Sequence, residues 1–141
     1  MLMTTEEIDA FLTEPFVGVL STVDGEGAPR GVPLWFHWED GAAYIWSNRN
    51  TVKWRNLQRD PRASLCVDRR DGPYAYVLLE GIVEESNRPL DALVLDMSIR
   101  YYGDEQGRKA AEMHHLSNSN HVVIKLTPQR IVSWVQDDYP A

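Results

Sequence analysis

Only one cysteine, Cys66, occurs in the 141 residues, so no internal disulfide can form and no thiolate cluster is available for zinc or iron–sulfur chemistry. No uninterrupted apolar run approaches the roughly 20 residues that a membrane-spanning helix needs, and the opening MLMTTEEIDAF lacks a basic leader segment. Basic residues are also in short supply. Fourteen Lys and Arg stand against 21 Asp and Glu, a formal charge of −7 that argues against a nucleic-acid partner held through its phosphates and against an anionic membrane surface. Walker-type loops, GxGxxG, nucleophile elbows and HExxH are all missing, so the catalytic classes they mark have no support. A soluble, cytoplasmic protein without a structural metal is expected. What the chain does have is core material: 43% apolar residues, with five Trp, six Tyr and three Phe, in a length that suits one domain spanning 1–141.

Thr4 followed by Glu7 has capping-box spacing, and Ile8, Phe11 and Leu12 then recur at helical intervals until Pro15. Phe16 to Val23, Ala28 to Glu39 and Ala43 to Ser47 read as strands separated by the turns at 24–27 and 40–41, an antiparallel meander. Thr51 to Arg59 reads as a short helix ended before Pro61, and 63–68 with 74–84 as a further hairpin. Pro89 suits a first helical position, and Leu90, Leu93, Val94, Met97 and Tyr101 share one helical face before Gly103. A further helix is expected between Asp104 and His115, then a loop at Ser117–Asn120. Two closing strands, 122–126 and 130–135, are joined at Thr127-Pro128. Six or seven strands with few helices in so short a chain suggest a small closed or partly closed β-barrel with helices outside.

Two segments carry chemistry. Residues 47–59 hold four bases and no acid, a window at +4 within a remainder of ten bases and 21 acids. A helix N-terminus is already partly positive and normally attracts Asp or Glu, yet Arg49, Lys53 and Arg55 crowd this one. Amides, the hydroxyls of Ser47 and Thr51, and a first-turn lysine are the parts of a phosphate site; a solvated basic helix paired to the acidic remainder is the competing reading. The second segment, RGVPLWFHW from Arg30 to Trp38, is an aromatic strand interrupted by Pro33, which marks an edge or bulge. Arg30 shares strand parity with Val32, Leu34 and Phe36, an apolar face ending in a cation that suits a planar ligand with an anionic tail, while core or dimer packing is the plainer account of Trp35, Phe36 and Trp38. His114 and His115 diverge on a helix and have no third ligand at a recognisable spacing, so no metal role is assigned. His37 reads as a packed or interface histidine, and Cys66 as a small core residue whose strand burial raises its thiol pKa.

With these segments identified, the chain resembles the flavin-binding split-barrel superfamily that includes the pyridoxamine 5′-phosphate oxidases. The resemblance is carried by residues 16–68, from FVGVLSTVDGEGAPRGVPLWFHW to NLQRDPRASLCVD, and by PYAYVLLEGIVEE. It implies a mainly β, six-stranded antiparallel split barrel with peripheral helices that forms a homodimer, with a flavin-type cofactor at the subunit interface. Residue by residue, Arg30 matches the family's strand arginine, Ser47 its hydroxyl residue and Lys53 its phosphate-binding lysine. Tyr76 falls where oxidases place a glutamine from the partner subunit. Trp35 and Val52 depart from the flavin-phosphate oxidases, which have cations at both positions; Arg49 and Arg55 are candidate substitutes. PLWFHW, PYAYV and the ending LTPQRIVSW are closer to the branch that uses the deazaflavin coenzyme F-420, which implies an oxidoreductase passing a hydride to a small conjugated acceptor, with Arg55 and Asn56 joining Lys53 at the phosphate. The alternatives are an FMN-dependent pyridoxamine 5′-phosphate oxidase-like enzyme and a non-catalytic flavin or haem binder. The candidate cofactor-binding residues are therefore Arg30, Pro33, Trp35, Trp46, Ser47, Asn48, Arg49, Thr51, Lys53, Arg55, Asn56 and Tyr76, with no catalytic side chain among them.

Overall fold

Thr4 opens the first helix, α1 (Thr5–Thr13), through the expected reciprocal cap: its hydroxyl accepts from the Glu7 amide at 3.1 Å and the Glu7 carboxylate accepts from the Thr4 amide at 3.0 Å. The computed structural model describes residues 1–114 and 120–140, so the expected loop at Ser117–Asn120 and His115 fall mostly outside the described residues. Seven antiparallel strands follow: β1 (Gly18–Val23), β2 (Pro29–Leu34), β3 (His37–Glu39), β4 (Ala42–Asn48), β5 (Arg62–Arg69), β6 (Ala75–Ser86) and β7 (His121–Val135). They form one sheet in the order β2-β1-β5-β6-β7-β4-β3. The expected split barrel is present, with seven strands rather than six.

The structure departs from two sequence expectations. The stretch read as one strand from Ala28 to Glu39 is broken at Trp35-Phe36, and its halves, β2 and β3, sit at opposite edges of the sheet, so no meander forms. Only those two residues separate the edges, which at roughly 3.5 Å per residue leaves them about 10 Å apart and forces the sheet to curl. The two closing strands are in fact the single strand β7, whose register against β6 shifts between Glu80 and Gly81. Thr127 and Pro128 fit within it because the bulge absorbs the missing proline donor.

The inner face carries the core. Leu20, Leu65, Val67, Val77, Leu79, Ile45, Ile124 and Leu126 are almost completely buried, and α1 adds Phe11 and Leu12. The helix α2 (Val52–Arg59) contributes Trp54 and Leu57 to the same cluster. Phe36, at the crossing between the edges, is also fully buried. The Tyr101 hydroxyl accepts from the Phe36 amide at 3.1 Å and lies 2.8 Å from the Phe16 carbonyl, to which it donates. Tyr101 comes from α3 (Leu90–Tyr102), whose Leu93 and Met97 pack on Val123, Tyr44 and Trp46 on the outer side of β4 and β7. Pro89 caps α3 instead of occupying its first turn, and the further helix, α4 (Asp104–Glu112), ends before His114. Gly107 lets the two helices touch, since a Cβ there would lie 2.4 Å from the Ile99 Cα. No helix among the described residues is long and apolar enough to cross a membrane.

A polar cluster fastens β3 to the approach of α3. Arg88 donates to Glu39 at 2.7 Å and to Asp96 at 3.0 Å, and its guanidinium lies 4.6 Å from the Tyr44 ring centroid. Beside it, both ring nitrogens of His37 are buried without a hydrogen-bond partner, and Nε2 is 3.6 Å from the Glu39 carboxylate, beyond hydrogen-bond range. Burial, reinforced by the Arg88 charge, holds the imidazole below its ordinary pKa, against the opposing pull of Asp96 and Glu39. The unfolded chain therefore binds this proton first, and stability falls as pH drops below about 6.5 toward the depressed folded value. Scanning Tm from about pH 7.5 to 5.5 should give a decline that becomes shallower in His37→Phe, because that window lies above the ordinary carboxylate range. A second expectation concerns the bulge, where a Cβ on Gly81 would lie 2.1 Å from the Thr127 carbonyl oxygen. Gly81→Ala should lower the unfolding free energy by about 1–3 kcal/mol in urea titrations, the scale of an overpacked site.

Candidate functional site

The strand-to-helix handover at the end of β4 is built by its own hydroxyls and amides. Thr51 is the N-cap of α2: its hydroxyl accepts from the Trp54 amide at 3.3 Å and donates to the Asn48 carbonyl at 2.9 Å. Buried Ser47 places its hydroxyl 3.1 Å from that of Thr51, and the Asn48 side-chain oxygen accepts from the Asn50 amide at 2.8 Å. Ser47, Asn48 and Thr51 thus shape the turn. With the Trp54 amide satisfied by the cap, those of Val52 and Lys53 find no acceptor among the described residues and keep their donors at the partly positive helix end.

That end faces the β1–β2 hairpin across a cavity of about 380 Å³ lined by Thr22, Asp24, Arg30, Gly31, Val32, Val52, Lys53 and Asn56. Thr22 pairs with Arg30 across the hairpin, so both project toward the same side of the sheet. The Asn56 amide donates to the Thr22 hydroxyl at 3.2 Å, and both residues are buried. Lys53 is half-buried and its ammonium has no carboxylate within ion-pair distance among the described residues; burial alone pulls its pKa down. Arg30 projects from the edge strand with its Nε held by Asp24 at 3.0 Å and its two terminal nitrogens without partners among the described residues. A lysine, an arginine and free backbone amides around one concavity have the donor set of a site for a phosphate or similar anion.

The other candidates are distributed differently. Arg49 makes a bidentate pair with Glu85 at 2.9 and 3.0 Å, which raises its pKa, and it does not line the cavity. Arg55 is on the exposed side of α2 and does not line the cavity. Trp46 faces the helical layer, with ring centroids 5.7 Å from His114 and 5.3 Å from His121. Trp35 stacks on Tyr101 at 4.3 Å and 8° and meets Tyr102 edge-on at 5.2 Å, leaving about a third of its surface exposed. Pro33 and Tyr76 are on the outer face: Pro33 lines a separate groove with Val19 and Arg70, and Tyr76 clusters with Tyr74 and Trp134. The face shared by Arg30, Val32 and Leu34 stops there, because Phe36 has left the strand for the core.

Thr22 and Asp24 were not among the candidates. Hairpin register would have found Thr22, the residue opposite Arg30, and Asp24 sits at the first position of the turn that precedes Arg30. His114 and His121 approach Trp46 but bind no third partner of their kind: among the described residues no group of three His, Cys, Asp or Glu side chains is arranged to hold a metal. Cys66 is half-buried, and burial followed by the nearby Asp68 charge raises its thiol pKa, so it is a poor nucleophile.

Comparison with solved structures finds the same architecture. A conserved hypothetical protein, Rv2991 of Mycobacterium tuberculosis, is 25% identical with a TM-score of 0.82, over 96% of this chain and 86% of that one. An F420 reductase is also 25% identical, with a TM-score of 0.72 over 88% of this chain and 94% of its own. An FAD-binding protein from Mesorhizobium loti shares the fold at 23% identity, a TM-score of 0.68 and 94% coverage of each chain. The family pattern named pyridoxamine 5′-phosphate oxidase matches residues 4–135. That match over nearly the whole chain, on a split barrel, makes this chain a member of the pyridoxamine 5′-phosphate oxidase family.

Proposed function

We propose that the protein is an oxidoreductase that holds coenzyme F-420 by its phosphate in the cavity between the β1–β2 hairpin and α2. The observation that carries this reading is the half-buried Lys53 ammonium, which has no carboxylate partner among the described residues and stands beside two unused helix amides. A desolvated cation is costly until an anion meets it, so the bound state is the one in which this corner is electrostatically balanced. The similarity to an F420 reductase favours the deazaflavin over FMN. When bound, the deazaflavin supplies a two-electron hydride for a small conjugated acceptor. Lys53, the Val52 and Lys53 amides and Arg30 bind the anionic end, and Asn56, itself fixed by Thr22, orients that corner. Alignment and water exclusion are the protein's contribution to such a transfer, so no side-chain acid or base is required.

The reading includes a homodimer. Across the outer face, the registers align Pro33, Val19, Cys66, Leu78 and Val132 in one row over five adjacent strands. Val19 is 38% exposed, and Tyr74 and Trp134 flank the face at 40% and 37%. An apolar band of this extent suits a second copy of the chain, which would bring Tyr76 of each protomer toward its neighbour's cofactor, as the family resemblance implies.

Two outcomes are expected. Lys53→Ala should weaken F-420 binding by about 1.5–3 kcal/mol, the scale of a charge-assisted hydrogen bond, while circular dichroism stays unchanged. Fluorescence titration with F-420 and with FMN checks this. Retention of FMN alone would make the protein an FMN enzyme, binding without turnover of any acceptor would make it a carrier, and failure with both cofactors would remove the reading. In sedimentation velocity the wild type should run as a dimer and Leu78→Lys should shift toward monomer, because a buried unpaired ammonium is strongly disfavoured.

A further inference from the structure

We infer that Asp24 is a positioning residue for cofactor binding, acting by holding Arg30 through its Nε at the rim of the cavity that it lines, so that its two terminal nitrogens stay free for the anion. The inference rests on the reading of that cavity as a phosphate site. Asp24 is the anchor of the β1–β2 turn: one carboxylate oxygen, Oδ1, accepts from the amides of Glu26 and Ala28, both at 2.9 Å. Its own amide donates to the Ala28 carbonyl at 2.9 Å, and its carbonyl accepts from the Gly27 amide at 3.0 Å. The carboxylate therefore cannot swing. Its other oxygen, Oδ2, takes the Arg30 Nε at 3.0 Å, and the Asp24 side chain is only 15% exposed although that of Arg30 is 65% exposed.

This division of labour is specific to arginine. A guanidinium has donors on two sides, so Nε can be spent on the anchor while both terminal nitrogens stay available for a bidentate contact with an anion. An arginine on an edge strand would otherwise sample many rotamers, and ordering it on binding would weaken affinity. A carboxylate lining an anion site is repulsive unless its charge is already engaged. Here Oδ1 is engaged by two amides and Oδ2 by Arg30.

Asp24→Asn is the discriminating variant. The two hairpin amides select the amide oxygen, which turns the side-chain NH₂ toward Arg30 Nε, donor against donor, while the turn keeps its acceptor. Affinities for F-420 and FMN are measured by fluorescence for the wild type, Asp24→Asn, Arg30→Gln and the double variant, with riboflavin as the phosphate-free control. We expect about a 3- to 10-fold loss for the phosphorylated cofactor in Asp24→Asn, the scale of immobilising one long side chain. No further loss is expected on the Arg30→Gln background, and riboflavin binding should not change. An equal loss on both backgrounds, or an equal loss for riboflavin, would mean that Asp24 acts through the hairpin fold and would overturn the inference. No loss in Asp24→Asn where Lys53→Ala does weaken binding would overturn it and leave the phosphate site standing; no loss in either would remove both. If Asp24→Asn fails to fold, Arg30→Lys decides: one ammonium cannot serve anchor and ligand as a fork does, and unchanged affinity there refutes the inference.

Discussion

Leu34 and His37 end and begin strands at opposite edges of the sheet, with only Trp35 and Phe36 between them, and this short tether governs the rest of the molecule. Seven strands laid flat would separate their edges by about 28 Å at the usual strand spacing, whereas two residues reach about 10 Å. The sheet must therefore curl until its edges nearly meet. The enclosed face has to be apolar and is: Phe36 drops into it fully buried, among Leu20, Ile45, Leu65 and Ile124. The backbone exposed by leaving the ladder is not left unsatisfied, because Tyr101 from α3 engages the Phe36 amide and the Phe16 carbonyl with one hydroxyl. Burial raises the pKa of that hydroxyl, so it remains a donor.

The tether also shapes the site. Because β2 cannot pair with β3, it remains an edge strand, exposed along nearly its whole length. An edge strand is where a cation can reach outward while its hairpin partner, Thr22, stays buried against Asn56 of α2. The cavity exists in the angle between that edge and the helix, and each of its donors follows from a local rule: strand pairing for Arg30, the Thr51 cap for the spare amides and helical position for Lys53 and Asn56.

Local signals were legible in the sequence and nonlocal ones were not. Thr4 with Glu7 and Thr51 ahead of Val52 announce their helices, and the acid-free stretch from 47 to 59 points to the helix end that Lys53 occupies. The edge-to-edge placement of β2 and β3 was hidden because the strand-favouring run from Leu34 to Trp38 passes straight across the break; it is the burial of Phe36 that ends the strand, and burial is a tertiary property. Alternation could have separated Ser47 from Trp46, since neighbours on a strand face opposite ways. Nothing local could have paired Arg49 with Glu85, 36 residues away. Tyr76 and Trp134 sit opposite one another only through the β6–β7 register, which the bulge at Glu80 and Gly81 resets partway along.

Lys53 differs from the other cations of the chain in what meets its charge. In a chain with seven more acids than bases, carboxylates are abundant, and Arg49, Arg62 and Arg88 each take one at 3.0 Å or less. Arg55 lacks a partner among the described residues, but it is exposed, and water meets its charge. Arg100 is the closer parallel, half-buried and without a carboxylate among the described residues, yet it donates to the Glu14 carbonyl and lies 4.4 Å from the Phe36 ring centroid and 5.3 Å from that of Tyr101. The half-buried Arg88 and Arg100 are thus met by acids, or by a carbonyl and aromatic faces. Lys53 has none of these among the described residues, and the cavity it lines holds further donors, the two helix amides and the terminal nitrogens of Arg30, while the buried Asn56 amide is already given to Thr22. Donors grouped around a half-buried ammonium oppose one another, and an anion bound among them, as proposed above, would make them mutually supportive. In a chain with acids to spare, only Asp24, whose carboxylate is already engaged, lines this cavity, and that selective lining is the physical ground of the anion site proposed for it.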